Sequence, residues 1–236
     1  DLMNMKDMKN GINEIQFNVY DTINMDNMFK DVSDLKSALM NSNSNAKVSS
    51  MISSFENCKN IQNFTNAGFD LKEVKSMKKL FYNSNYGDIS GLNTEYVEDF
   101  SYMFASTDIN EKILEKINTG RAKNMSHMFD GTAQSFLDLS HLDTSNVVDM
   151  SYMFKNCEGL SELNLKNFNT KNVRNMAGMF MDSFPLTSID LTSFDTSQVT
   201  DMSHMFRGLS SLKELDLNHF DTSKVQDMSY MFCYCS

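Results

Sequence analysis

Apolar residues along this chain alternate between two rhythms. Leu160, Leu163, Leu165 and Phe168 give the order L-x-x-L-x-L-x-x-F, repeated at Leu186, Ile189, Leu191 and Phe194 and at Leu212, Leu215, Leu217 and Phe220. The inner L-x-L has period two, which predicts a short strand with one buried face. Met150, Met153, Phe154 and Cys157 instead stand at i, i+3, i+4 and i+7, the stripe of an amphipathic helix of about two turns. Asp149, Asn175, Asp201 and Asp227 each precede the first Met of such a stripe, where an N-cap side chain would accept from the first helical amides.

Both rhythms belong to one repeat. Phe29, Phe55, Phe81, Phe104, Phe129, Phe154, Phe180, Phe206 and Phe232 each close a five-residue pattern close to M-x-x-M-F, at intervals of 23 to 26 residues. These units hold half of the 18 Phe and fifteen of the 20 Met. A strand or helix this short cannot bury its apolar face alone, whereas stacked units share one core. The expected fold is therefore a single α/β repeat solenoid over residues 1–236, with about nine coils of 23–26 residues. Each coil would carry a short parallel strand and a short helix, on the leucine-rich-repeat pattern. Coils 134–236 are clean and 82–125 irregular, and INEKILEKI (109–117) suits a helix better than a strand. The chain opens with DLMNMKDMKNG and closes with MFCYCS, both mid-unit, which reads as an excised fragment or a mature portion.

From these residues the chain resembles the BspA-like leucine-rich repeat surface proteins of bacteria, mycoplasmas and protists. The shared signature is F-D-T-S-x-V-x-D-M-S-x-M-F-x-x-C-x-x-L, nearly intact at 142–160, 168–186, 194–212 and 220–235 and weaker from about Phe17 to Ile117. The resemblance implies a cell-surface or lipoprotein setting and adhesion to a host matrix or plasma protein, or to a neighbouring cell. It carries no catalytic residues. The alternative is an intracellular recognition or scaffolding domain attached to an effector outside this fragment.

Composition narrows the partners. A formal charge of −10 disfavours a nucleic-acid backbone, and no apolar run approaches the roughly 20 residues that span a bilayer. No nucleophile elbow, P-loop or dinucleotide fingerprint occurs, so the reading is of no enzyme and no cofactor. Cys58, Cys157 and Cys235 share one column, read as small-apolar core with buried free thiols. The Asx column Asp70, Asn93, Asn118, Asp143, Asn169, Asp195 and Asp221 reads as turns with side-chain acceptors. A row of cation ligands is the lesser reading, and no two His are close enough to suggest a metal.

Two surfaces remain. Residues between the buried L-x-L positions would line a concave sheet: Asp138, Asn164, Asp190 and Asp216, with Lys166 and Asn218 two residues after their neighbours. Spaced about 4.8 Å apart, they predict a basic protein ligand that binds faster at low salt. Tyr102, His127 and Tyr152 would stack as a column on the convex face, either packing on one another or meeting a partner. The final coil, without a polar cap, suggests an end-to-end dimer.

Overall fold

A computed structural model describes residues 14–42, 46–65, 69–89, 91–109 and 111–235. The opening DLMNMKDMKNG lies outside them. Successive coils stack in parallel, and the backbone of each coil bonds to the next through a ladder repeated every 23 to 26 residues.

The predicted helix per coil is not there. Among the described residues the only α-helix is α1 (Glu111–Leu114), inside the irregular stretch where a helix was expected. The M-x-x-M-F segments are consecutive β-turns. In the coil of Phe154, the amides of Met153 and Lys155 donate to Met150 O (3.3 Å) and Tyr152 O (3.1 Å), three residues back. The alternate amides, of Met150, Tyr152, Phe154 and Asn156, donate to Asn175, Ala177, Met179 and Met181 of the next coil at 2.8–3.0 Å. Two left-handed residues make this alternation possible: Tyr152 at φ 56° and Asn156 at φ 54°. The same two slots have positive φ in every coil, for example His127 with Gly131 and His204 with Gly208.

A turn ladder defeats a helix here for a countable reason. A two-turn helix leaves its first four amides and last four carbonyls without intrahelical partners, and is too short to stand alone. Stacked turns satisfy every amide either locally or in the next coil. Burial does not distinguish the two, since Met150, Met153, Phe154 and Cys157 are all at 0% exposure. The stripe spacing is real, but two β-turns produce it.

Strands are short and intermittent. β1 (Glu14–Val19), β3 (Ser37–Ser42), β5 (Ile61–Thr65) and β6 (Tyr86–Asp88) form one parallel sheet in the order β1-β3-β5-β6. β2 (Ile23–Asn24) pairs with β4 (Val48–Ser50), and β7 (Phe136–Asp138) with β8 (Glu162–Asn164). The predicted strands at 189–191 and 215–217 do not form, although Ile189 and Leu191 are buried as the period-two pattern requires. In the coils from Phe136 onward at most three residues are extended between turns, and the sheet ladder closes at β7–β8 and lapses after it. The α/β leucine-rich-repeat-like architecture is thus replaced by coils of turns and short parallel strands.

Three side-chain devices hold each coil to its neighbours. The nine Phe rings form a continuous stack from Phe29 to Phe232, with neighbouring centroids 5.1–6.2 Å apart. Such pairs contribute about 0.5–1.5 kcal/mol each beyond their burial. Buried Thr144, Thr170 and Thr196 each clasp the next coil: Thr170 Oγ1 donates to Asp195 O and accepts from Asp195 N, both at 2.8 Å. Thr144 with Asn169 and Thr196 with Asp221 repeat the clasp. Finally, the column read as small-apolar core is buried at Cys58, Cys157 and Leu209 and half-buried at Cys235, and its Cys and Ser members also donate hydrogen bonds. Cys58, Cys157 and Cys235 donate Sγ–H to the carbonyls of Phe29 (3.1 Å), Phe129 (3.3 Å) and Phe206 (2.9 Å), and Ser84 and Ser183 do the same to Phe55 and Phe154.

Candidate functional site

The predicted acidic face is built from Asx turns. Oδ1 of Asp138 accepts from Ser140 N (3.0 Å), Asn164 Oδ1 from Lys166 N (3.1 Å), Asp190 Oδ1 from Thr192 N (3.0 Å) and Asp216 Oδ1 from Asn218 N (2.9 Å). The amide two residues on therefore fixes each side chain, as expected of short polar residues that offer the backbone a local partner. Asp138 and Asn164 lie opposite each other in the β7–β8 register, and Asn164 Nδ2 donates to Asp138 Oδ1 at 3.0 Å. Lys166, Asp190, Asp216 and Asn218 are exposed, whereas Asp138 and Asn164 are half-buried.

These bonds favour the ionised carboxylates. The Ser140 amide and hydroxyl, with smaller help from His141 and Asn164, hold Asp138 below the usual carboxylate range. The Thr192 amide and hydroxyl do the same for Asp190, and the charges of His219 and Lys166 add to it. Asn fits the acceptor role as well as Asp, so the turn explains why some amide or acid is needed here. It does not explain why three of these four positions carry charge.

The other two Asx columns work in the same way. Asp143, Asp195 and Asp221 accept from Ser145, Ser197 and Ser223 at 2.8–2.9 Å, which is the turn role read from the sequence. Asp149, Asn175, Asp201 and Asp227 were read as helix N-caps. They are Asx turns instead, accepting from the amide two residues on at 2.8–3.0 Å and joining the parallel bridges between coils. Among the described residues no group of three or more His, Cys, Asp or Glu is placed to hold a metal ion.

The aromatic column is assembled as predicted and packs on itself. Tyr102 and His127 stack at 4.1 Å between centroids, and His127 and Tyr152 at 4.8 Å. His127 Nδ1 lies 2.7 Å from Asp130 Oδ2. Gly178 ends the column: at φ 56°, a Cβ there would come within 2.2 Å of Tyr152 Cε1, so the Tyr152 ring occupies the space of the missing side chain. Stacking resumes with His204 and Tyr230 at 5.0 Å. In the final coil Tyr230, Phe232 and Tyr234 are 64%, 53% and 70% exposed.

Sequence reasoning missed a cleft lined by Tyr82, Tyr102, Asp130, Asn156 and Glu158 among others. Its signal was present in the columns. The residue after the motif Phe is large at Tyr82 and Lys155 but shrinks to Ala105 between them. The next slot is small at Ser106 and Gly131.

Buried columns, inter-coil clasps and a motif recurring every 23 to 26 residues define a repeat protein of stacked turn coils. The chain belongs to the family described as Mycoplasma protein of unknown function, DUF285, whose family model matches residues 2–112, 98–190 and 162–236. No curated protein and no solved structure matches the chain. No helix among the described residues is long and apolar enough to cross a membrane.

Proposed function

We propose that this chain is a non-catalytic recognition module, displayed at a cell surface, which binds a basic protein through the face carrying Asp138, Asp190 and Asp216. The observation that carries the reading is the Asp138–Asp190 row, in which backbone amides keep two carboxylates ionised and aimed by their own turns. Exposed, pre-set charges on a rigid repeat favour fast, salt-sensitive association with a complementary surface. Against catalysis stand the Cys58 and Cys157 thiols, which burial pushes up to about 12, the reverse of what a nucleophile needs. Surface display and adhesion rest on the resemblance of the D-T-S-x-V-x-D-M-S-x-M-F signature to the BspA-like surface proteins.

The test uses the whole chain as bait against serum and matrix proteins, with the triple variant Asp138→Asn, Asp190→Asn, Asp216→Asn as control. Asn preserves the turn acceptor, as Asn164 shows within the same column, and removes only charge. Capture of a basic protein is expected to weaken with salt and in the variant. Capture indifferent to both would refute the reading.

A further inference from the structure

We infer that the cleft beside Tyr82 and Tyr102 is a binding site for a neutral, polyhydroxylated ligand, a pyranose unit of a glycan. This inference is independent of the acidic face. The cleft encloses about 710 Å³, within the roughly 300–1,000 Å³ typical of small-molecule sites. It exists because two consecutive coils place short side chains where others place long ones: Ala105, Ser106 and Gly131 lie between Tyr82 and Lys155 in the repeat columns. Gly131 is at φ 71°, a left-handed conformation that disfavours a side chain, and a Cβ there would also come tight against Ser106 Oγ at 3.1 Å.

The lining selects the ligand. Tyr82 and Tyr102 meet edge to face at 6.3 Å and 69°; His127 and Lys79 take up the faces of Tyr102, so Tyr82 is the ring that offers aromatic surface to the C–H face of a sugar ring. In the same lining, Asp130, Asn156 and Glu158 present carboxylate acceptors and an amide that both donates and accepts, the set a run of hydroxyls needs. No Lys or Arg is among the lining residues and two carboxylates are, which disfavours an anion. A cation is disfavoured as well. The Lys79 ammonium already stands 5.3 Å from the Tyr82 centroid and 5.4 Å from that of Tyr102, so the rings' attraction for positive charge is largely spent. Asp130 is oriented through His127, whose Nδ1 holds Oδ2 at 2.7 Å.

The experiment screens the full chain on an array of neutral glycans and measures the leading hit by titration calorimetry as a free oligosaccharide. Ala105→Lys is the decisive variant. It places in the cleft a side chain that the same column carries at half-buried Lys155; because Ala105 is itself buried, folding is checked first by circular dichroism. Saturable binding of a neutral glycan is expected, lost in Ala105→Lys and weakened about three- to ten-fold in each of Asn156→Ala and Glu158→Ala, the scale of one hydrogen bond. Should Ala105→Lys fail to fold, Asn156→Ala with Glu158→Ala carries the test, and undiminished binding in that double variant overturns the site. The inference is also overturned if no neutral glycan binds, if binding survives in folded Ala105→Lys, or if a lysine-rich peptide rather than a sugar binds and is displaced by that substitution.

Discussion

Replacing Ser106 by Gly and by Ala separates a turn from a helix by the sign of one difference. Ser106 is exposed and sits at φ 55°, in the second left-handed slot of its coil. An L-residue in that region costs about 1–2 kcal/mol, which Gly does not incur. Gly gives back about 0.4–1 kcal/mol through the greater freedom of the unfolded chain. The net expectation is that the Gly variant exceeds the Ala variant by about 1 kcal/mol. In a helix interior the order inverts, with Gly about 1 kcal/mol below Ala. Gly and Ala are both smaller than Ser, so neither substitution introduces a clash with Gly131 beside it. Urea unfolding followed by far-ultraviolet circular dichroism measures the difference directly, and about 3 °C in Tm accompanies it for a chain of this size. An Ala variant at least as stable as the Gly variant would refute the turn reading of these segments.

Three further outcomes follow from the same geometry. Thr170→Val keeps the shape of a buried side chain but strands Asp195 N and O, and is expected to lower stability by about 2 kcal/mol; Thr170→Ser should retain most of it, and equal urea midpoints for Val and Ser would count against the clasp. Asp143 and Asp195 have pKa values lowered by the hydroxyls and amides of Ser145 and Ser197, so their contribution is complete above the unfolded value near 3.9 and disappears as pH falls through the folded value. Wild type should therefore exceed the Asp143→Asn, Asp195→Asn variant in urea stability at pH 7 and lose that advantage as the pH falls through the lowered carboxyl values, whereas parallel pH profiles would exclude the linkage. Cys58 and Cys157, buried with thiols pushed up to about 12, should resist a thiol reagent until the chain unfolds, while half-buried Cys233 and Cys235 react first; four equal rates by mass spectrometry would contradict the burial.

Much of the architecture was legible before any coordinate. The spacing from Phe29 to Phe232 identified the repeat, and the columns it implied exist as Phe, Tyr/His, Cys and Asx rows. Asp195 and its equivalents were legible as turns because a short acceptor two residues before an amide needs no tertiary partner. The secondary structure was misread where one pattern has two physical sources. Met150, Met153, Phe154 and Cys157 face inward in a two-turn helix and also in two successive β-turns. The sequence of one coil does not reveal which, because the deciding bonds run from Tyr152 N to Ala177 O in the next coil.

The linear order of residues determined the period, the inward stripes, the Asx turns and the −10 charge, because each depends on local spacing or on counting. Only the stacking of coils decided that the amides point along the stack, that Thr170 is a clasp rather than a surface residue, and that Ala105, Ser106 and Gly131 open one cleft. Those properties arise between residues about 25 positions apart. Their energetics belong to the contact between coils and to no coil by itself.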